Sequence, residues 1–362
     1  MRDRRAGPSL ARLTLSYSTC YITWRPRNYI GITLMKNLLA SAAATGLLVA
    51  TMAPAAAQDA PVNAVVTIAM IGDVVENVGG ECVKVTSIMG SGVDPHLYEA
   101  SAADVQSFQK ADVIFYSGYS LEGQLGDVLE RFGEEKPTIA VSPASIDPGS
   151  LITVQDVYGI DPHIWMDASL WSNIAPTIAT AIAELRPGCA DQLNANAKEY
   201  QAQLAALHGW ATESIASIPE GQRTLVTAHD AFGYYGRAYG IDVEAIQGIS
   251  TESEASVADI RSTADAVVQA GVPALFIETT INPRTIQAVI DAARQKGHEV
   301  EIGGELFSDA MGEEGTPAST YIGMIFENTV KITQALGGKV APVPDALSGW
   351  ADEWNAAAMI AG

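Results

Sequence analysis

The stretch ADQLNANAKEYQAQLAALHGWATESIASI, residues 190–218, decides how this chain of 362 residues is organised. It contains no proline and is rich in alanine, the strongest helix former. Its larger apolar and aromatic side chains recur at the spacing of one helical face, at Leu193, Tyr200, Leu204, Leu207, Trp210 and Ile215. A helix of roughly 27 residues would span about 40 Å, which is long for an ordinary crossover. We therefore predict a stiff connecting helix between two lobes.

The residues before this helix alternate between buried strands and helices. Short β-branched runs predict strands at 65–72, 83–89, 113–118 and 138–142. The intervening segments DVVENVGG and SAADVQSFQKAD predict helices, the second with Ser101 as its N-cap. This alternation is typical of a parallel sheet covered by helices on both faces. It predicts an N-terminal lobe over residues 58–189.

The same pattern restarts after the connecting helix. Strands are predicted at 224–230, 243–249, 274–279 and 299–304. The helical segments between them end near glycines, as does a final long helix within 319–338. The predicted fold class is α/β, with two lobes of parallel sheet flanked by helices and joined by one long rigid backbone helix. The C-terminal lobe would occupy residues 219–362.

Residues 35–57, MKNLLASAAATGLLVATMAPAAA, have the features of a secretory signal peptide. A lysine precedes an apolar run that is short for a membrane span of about 20 residues, and Ala-Ala-Ala supplies an A-x-A cleavage site. Residues 1–34 are arginine-rich and patternless, so we predict that they are a mis-assigned leader and that the protein begins at Met35. An extended signal n-region is the alternative. Either way, the mature protein is expected in the periplasm.

The expected mature chain is strongly acidic. Removing residues 1–57 leaves 14 basic and 41 acidic residues, a net charge of −27. Such a surface repels nucleic acid and anionic lipid, so we expect no nucleic-acid partner. No cysteine follows the apolar run to accept a lipid. We therefore expect a monomer that is free in the periplasm, without a lipid anchor.

Two cysteines, Cys82 and Cys189, lie beyond the signal segment. An exported protein can pair two cysteines, but Cys82 opens a predicted strand and Cys189 lies in a remote loop or helix start. The sequence therefore favours unpaired cysteines. A thiolate metal site is not expected, because the chain has no Cys-x-x-Cys.

The motif Asp-Pro-His occurs twice, in GVDPHLYEA and GIDPHIWMD, although the chain has five histidines in all. Its histidines are His96, which follows the second predicted strand, and His163. In the second half, His229 ends the predicted strand TLVTAH, and Asp309 follows the last predicted strand. Ligands of α/β sheets sit beyond the carboxyl ends of strands. A cleft between the lobes could therefore bring all four side chains together.

Three imidazoles and one carboxylate suit a divalent transition metal. Zinc fits the ligand types, and manganese fits where a carboxylate and weaker binding dominate. Taken singly, each histidine is more often structural than a ligand, but the shared position of three of them at strand ends is a stronger indication. We predict one bound ion, Zn²⁺ or Mn²⁺, at His96, His163, His229 and Asp309.

Five stretches of this chain resemble the zinc- and manganese-binding periplasmic proteins of ABC transporters, the TroA-like or cluster A-I group. They are GSGVDPHLYEASAADVQSFQKADVIFYSGYSLEG, DPHIWMD, LVTAHDAFGYYGRAYGI, FIETTINPRT and GGELFSDAMG. The resemblance implies two lobes with a helical spine, a metal bound at their interface, and delivery of that metal to an ABC permease of the inner membrane. It also implies that the family's ligands fall on His96, His163, His229 and Asp309.

Two features of the resemblance point in opposite directions on the metal. Many zinc-specific relatives carry a long loop rich in His, Asp and Glu, which is absent here and favours manganese or broad specificity. The third ligand position holds His229, where many manganese-specific relatives have glutamate, and this favours zinc. The sequence leaves zinc and manganese open.

Other residues near the motifs have alternative interpretations. Asp94 and Asp161 could orient the neighbouring histidines, or form Asx-turns before proline, which we favour slightly. Glu278 ends the strand FIE and would be an outer or structural carboxylate. Shielding of the site or plain packing is expected of four aromatic residues, Trp165, Phe232, Tyr234 and Tyr235. Solvent-facing positions are expected for four others, His208, His298, Glu252 and Glu254, with the two glutamates capping the next helix.

Two rival functions remain open beside metal transport. An exported metallohydrolase could use the same residue types, but a catalytic zinc needs an open position and a nearby base. The sequence has neither HExxH nor a Gly-x-Ser-x-Gly elbow, so we expect no enzyme. A metal-binding adhesin is the other rival, because some relatives carry that label.

Overall fold

The structure is a computed structural model that describes residues 60–154 and 159–361. The predicted leader (1–34) and signal peptide (35–57) lie outside these residues. The described part contains parallel strands that pair in three groups. The strands are β1 (Val62–Ile68), β2 (Val83–Met89), β3 (Val113–Tyr116), β4 (Thr138–Ala140), β5 (Thr224–His229), β6 (Asp242–Gln247), β7 (Ala274–Glu278) and β8 (Glu301–Leu306).

Helices flank these strands throughout, as the alternating pattern predicts. The helices are α1 (Ala69–Gly79), α2 (Ala102–Lys110), α3 (Leu125–Gly133), α4 (Val141–Ser145), α5 (Ala168–Trp171), α6 (Ile174–Leu185), α7 (Ala190–Ala216), α8 (Gly233–Tyr239), α9 (Val257–Ala270), α10 (Arg284–Gln295), α11 (Tyr321–Ala335), α12 (Ser348–Glu353) and α13 (Ala356–Ala361). Among the described residues, none of these helices combines the length and the apolar character that crossing a membrane requires. The predicted α/β fold class is confirmed.

The N-terminal sheet has the order β2-β1-β3-β4, with every neighbouring pair parallel. Its central strand β1 is buried at six of seven positions, as expected for a parallel strand covered on both faces. Helix α2 begins where predicted, because the Ser101 hydroxyl accepts the amide of Asp104 and the Asp104 carboxylate accepts the amide of Ser101. This reciprocal cap satisfies two amides that the first helical turn leaves without partners.

The connecting helix α7 is 27 residues long and begins at Ala190, as predicted. The apolar face expected from the sequence is buried, and it packs against α1 and α6 of the first half and α11 of the second. Trp210 stacks on Phe326 of α11 with ring centroids 4.2 Å apart. The helix therefore contacts both halves along its length, while the lobe boundaries at 189/190 and 218/219 stay predictions.

Two predicted strands are shorter in the structure because helices begin inside them. The run 65–72 ends as a strand at Ile68, and 141–142 belongs to α4. In both places the strand passes directly into a helix without a polar linker. A continuous apolar run has no periodicity that separates a buried strand from a buried helix turn. The end of such a strand is therefore not visible in the sequence.

The second half contains two separate strand pairs, β5–β6 and β7–β8. Strands β5 and β7 lie side by side. At the end of β5, backbone amides donate to a side chain of β7 and not to its backbone carbonyls. Glu278 Oε1 accepts the amides of Ala228 and His229 at 2.7 and 2.9 Å. The buried amides at the end of β5 are thereby satisfied by a carboxylate, which places that carboxylate beside His229.

Cys82 and Cys189 are joined by a disulfide, so the expectation of unpaired cysteines is wrong. Cys82 ends the 3₁₀ turn before β2, and Cys189 ends the 3₁₀ turn before α7. Their Cα atoms lie 6.4 Å apart although 107 positions separate them in sequence. Packing of α7 against the first half brings them together, and this contact cannot be inferred from either local sequence. The bond ties the start of the connecting helix to the first sheet.

A buried carboxylate joins α1, α7 and α11. Asp73 accepts the backbone amide of Tyr321 at 3.1 Å and the hydroxyl of Tyr200. Burial raises the pKa of Asp73 to about 6, and the hydrogen bonds from Tyr200 and Tyr321 oppose that rise only in part. The Tyr321 hydroxyl in turn donates to the carbonyl of Trp165. The start of α11 is thereby tied to the segment that follows His163.

Candidate metal centre

The four predicted ligands come from three loops and the end of one strand, and they meet in the interior of the protein. His229 is the last residue of β5, and His96 lies in the loop that follows β2. His163 precedes a 3₁₀ turn at Ile164–Met166, and Asp309 follows β8. All four side chains are shielded from solvent. The fold therefore brings together the residues that the sequence singled out.

The facing atoms of the cluster lie within reach of one ion. The ligand atoms of the four residues lie within 4.8 Å of one another. Asp309 Oδ1 is 3.3 Å from His163 Nε2, and Asp309 Oδ2 is 3.1 Å from His229 Nε2 and 3.7 Å from His96 Nε2. The Nε2 atoms of His96 and His163 are 3.3 Å apart. Three imidazole nitrogens and one carboxylate thus surround one small space, which suits a four-coordinate divalent metal.

Carboxylates hold the outer nitrogens of two of these imidazoles. His163 Nδ1 lies 2.8 Å from Asp161 Oδ1, and His229 Nδ1 lies 2.5 Å from Glu278 Oε2. A carboxylate can only accept here, so each Nδ1 donates, and in the neutral imidazole each Nε2 presents its lone pair to the cluster. Metal-ligating histidines are held in this way, which fixes the tautomer and raises the basicity of the ligand. The contact with the imidazole that an orienting Asp161 requires is present, and Glu278 contacts both His229 Nδ1 and the β5 backbone, as an outer or a structural carboxylate would.

Asp161 and Asp94 also accept the backbone amide two residues ahead, at His163 and His96. The predicted Asx-turns are therefore present, and at Asp161 one oxygen serves both the turn and the imidazole. The second oxygen of Asp94 accepts the hydroxyl of Thr251, at 2.6 Å, from the loop between β6 and α9. This contact joins the loop of His96 to the other half of the chain. Nothing in the sequence around Thr251 indicated it.

The pKa values of the four side chains in the cluster shift in different directions. Burial lowers the pKa of His96 to about 3, since attraction to Asp309 offsets only part of the burial and the other imidazoles repel a proton. Burial acts in the same direction on His163, but Asp309 and Asp161 outweigh it and raise the pKa to about 9. Glu278 and Asp309 likewise outweigh burial and hold the pKa of His229 well above its usual value. Burial alone would raise the pKa of Asp309, but His229 and His163 hold it well below its usual value. In the absence of metal the cluster holds protons, which a divalent cation would displace.

Aromatic side chains form part of the wall around the cluster. The Trp165 ring stands edge-on to His163 with centroids 5.3 Å apart, and its indole nitrogen donates to the carbonyl of Ser308. Tyr234 donates its hydroxyl to the carbonyl of Asp161. These hydrogen bonds tie the wall to the segments that carry His163 and Asp309. Trp165, Phe232, Tyr234 and Tyr235 are all buried; Trp165 contacts His163, whereas Phe232 and Tyr235 pack against each other.

The two remaining histidines are not fully solvent-facing, contrary to expectation. His208 is half-buried, with Nδ1 3.4 Å from Asp167 Oδ1. His298 is also half-buried, and its Nε2 donates to the carbonyl of Val272. Glu252 and Glu254 are exposed as predicted, but Ser256 caps α9 in their place.

Replacing Glu278 with glutamine is expected to weaken metal binding about 10- to 100-fold. The glutamine oxygen can still accept the amides of Ala228 and His229, but its NH₂ group then faces His229 Nδ1. Nδ1 must give up its hydrogen, which moves to Nε2 and blocks the lone pair that faces the cluster. Competition titration with a metal-binding dye measures the effect. Glu305→Gln is the matched control, because Glu305 is an exposed carboxylate on the neighbouring strand. Equal affinities of the two variants would show that Glu278 does not tune His229.

Comparison with known proteins identifies the family. The family model described as zinc-uptake complex component A, periplasmic, matches residues 64–335. The manganese-binding lipoprotein MntA of Bacillus subtilis is 44% identical over 299 residues, which cover 83% of this chain and 97% of the relative. The zinc-binding protein TroA of Treponema pallidum is 40% identical, over 83% of this chain and 96% of the relative.

A solved structure of the periplasmic zinc-binding protein TroA from Treponema pallidum has the same fold. It superposes with a TM-score of 0.74 at 41% identity, covering 76% of this chain and 99% of that chain. The family model spans most of the chain, and these relatives align over nearly their whole length. The chain therefore belongs to the family of periplasmic zinc-uptake components, the metal-binding substrate-binding proteins of ABC transporters.

Proposed function

We propose that this protein captures one divalent transition metal, Zn²⁺ or Mn²⁺, with His96, His163, His229 and Asp309, and delivers it to an ABC permease of the inner membrane. One observation carries the proposal. Four buried donors from four separate segments of the chain converge on one space, and carboxylates hold the outer nitrogens of two of them. The names of the relatives, which include both manganese- and zinc-binding proteins, support the same cargo class.

The arrangement favours binding over catalysis. A catalytic zinc keeps a position open for water or substrate, whereas a closed set of four protein ligands is typical of a site that only holds its ion. Here four donors already face one another, and all are shielded from solvent. An ion could enter or leave only if the loops that carry these donors separate. We therefore propose a carrier that opens and closes rather than a metallohydrolase, and the relatives, which are named for metal binding, support the carrier over the adhesin.

We further propose that the protein works in the periplasm after its signal segment is removed. Several relatives are named lipoproteins. Our expectation that this chain has no lipid anchor stays a prediction, as does the expectation of a monomer. Metabolic labelling with a radioactive fatty acid tests the anchor, because a lipidated chain would carry the label.

Growth of a strain that lacks this gene tests the proposed function. In medium depleted of the cargo metal, the wild-type gene should restore growth and metal content, and His163→Ala should not. His298→Ala is the control, because His298 contacts Val272 rather than the cluster. Depleting zinc and manganese separately identifies the cargo. Rescue by His163→Ala, or no need for the gene in either medium, would contradict transport through this site.

A further inference from the structure

The segment SGYSLEG, Ser117–Gly123, follows β3 and makes a turn with unusual backbone angles. Tyr119 and Ser120 have φ of 51° and 63°, and Gly118 and Gly123 have φ of 88° and 47°. Two non-glycine residues in succession in the left-handed region are rare. Such conformations persist only where the surrounding structure holds them, and they cluster at functional sites. This turn therefore needs an explanation in the contacts around it.

Glu122 holds this turn from inside the protein. Its side chain is buried, and it accepts one hydrogen bond from β1 and two from the residues that follow β3. Oε1 accepts the hydroxyl of Thr67 at 2.8 Å and the amide of Ser117 at 2.5 Å, and Oε2 accepts the amide of Gly118 at 3.2 Å. The carboxylate thus fastens the turn to β1 and to the end of β3. Both carboxylate oxygens of Glu122 accept hydrogen bonds. If glutamine replaced Glu122, its NH₂ group would face one of these donors.

The turn lies directly against the backbone of His96. A Cβ placed on Gly123 would be 2.9 Å from the carbonyl oxygen of His96, a distance that real Cβ atoms do not reach. Glycine at this position therefore permits the close approach. Any other residue would also be strained by the positive φ of this position. The position of the His96 main chain is set by how closely this turn packs against it.

We infer that Glu122 is a positioning residue of the metal centre. By holding the left-handed turn against the His96 carbonyl, Glu122 fixes the distance at which the His96 imidazole meets the other three donors. It acts through the backbone of Gly123 and does not touch the ion. The inference rests on the proposed function, because it assigns a role in the metal site described above.

Gly123→Ala and Glu122→Gln test this role in the full-length mature protein. The probe is Co²⁺, whose visible absorption depends on coordination number and geometry. Both variants are expected to bind Co²⁺ at least about tenfold more weakly than wild type and to show an altered visible spectrum. Gly126→Ala is the matched control, since it lies three residues further along and a Cβ there meets nothing within 4 Å. It should match wild type in affinity and spectrum.

A purely structural role would give a different result. In that case the variants would lower only the thermal midpoint of the metal-free protein, while the folded protein kept wild-type affinity and spectrum, and the inference would be overturned. If neither variant folds, Thr67→Val decides, because it removes one donor and leaves the carboxylate and the turn intact. A smaller shift in the same direction supports the inference, and no shift overturns it. Failure of the wild-type protein to bind Co²⁺, Zn²⁺ or Mn²⁺ would instead contradict the proposed function.

Discussion

Replacing Asp309 with asparagine is expected to weaken metal binding by about 10²- to 5 × 10³-fold, because removing one partner from a buried charged group costs about 3–5 kcal/mol. Asp309 is the one carboxylate of the four-residue cluster, and its two oxygens face all three imidazoles. Asparagine keeps the size and one oxygen but removes the negative charge. A divalent cation would then enter a buried site with neutral ligands alone, at a much higher electrostatic cost.

Calorimetric titration of the metal-free protein with Zn²⁺ and with Mn²⁺ measures this loss. Asp291→Asn is a suitable control, because it makes the same chemical change on a carboxylate of α10 that is 58% exposed. That control should titrate like wild type, with one ion per chain. An Asp309→Asn protein that binds one ion with unchanged affinity would remove Asp309 from the site.

Replacing both cysteines with serine is expected to lower the free energy of unfolding by about 4–5 kcal/mol, the value for a loop of about 100 residues in the chain-entropy account. Cys82 and Cys189 are 107 positions apart, so the bond excludes many extended conformations of the unfolded chain. The bond also joins the residue before β2 to the residue before α7. Loss of the bond should therefore loosen the connecting helix first at its N-terminal end.

Urea unfolding followed by tryptophan fluorescence measures this difference in stability. The wild-type protein kept in a reducing agent should unfold at the same urea concentration as the double serine variant, since both lack the bond. The oxidised wild-type protein should unfold at a higher concentration. Identical midpoints for all three samples would mean that the disulfide contributes nothing to stability.

The connecting helix shows what local sequence can determine. Its length, start and buried face follow from periodicity and from the absence of proline over 190–216. The convergence of the four proposed ligands could likewise be predicted, because His96, His229 and Asp309 end or follow strands and His163 repeats the Asp-Pro-His motif of His96. Strand ends within continuous apolar runs could not, as at 69–72, where α1 has already begun.

The contacts that support the ligands were largely invisible in the sequence. Glu278 could be proposed because it ends a strand, as His229 does. Thr251 and Glu122 act through contacts with residues more than 50 positions away, namely Asp94 and Thr67. The disulfide was missed for the same reason. Such pairs are set by the packing of helices and loops. The pattern of a single sequence does not show which remote segments lie close together in the fold.

The most direct test of the metal centre is the position of the ion itself. Crystals of the protein loaded with Zn²⁺ should give one anomalous peak at the zinc edge, about 2.0–2.2 Å from Nε2 of His96, His163 and His229 and from an Asp309 oxygen. A protein that takes up zinc but shows its peak elsewhere, or shows none among these four side chains, would contradict the assignment.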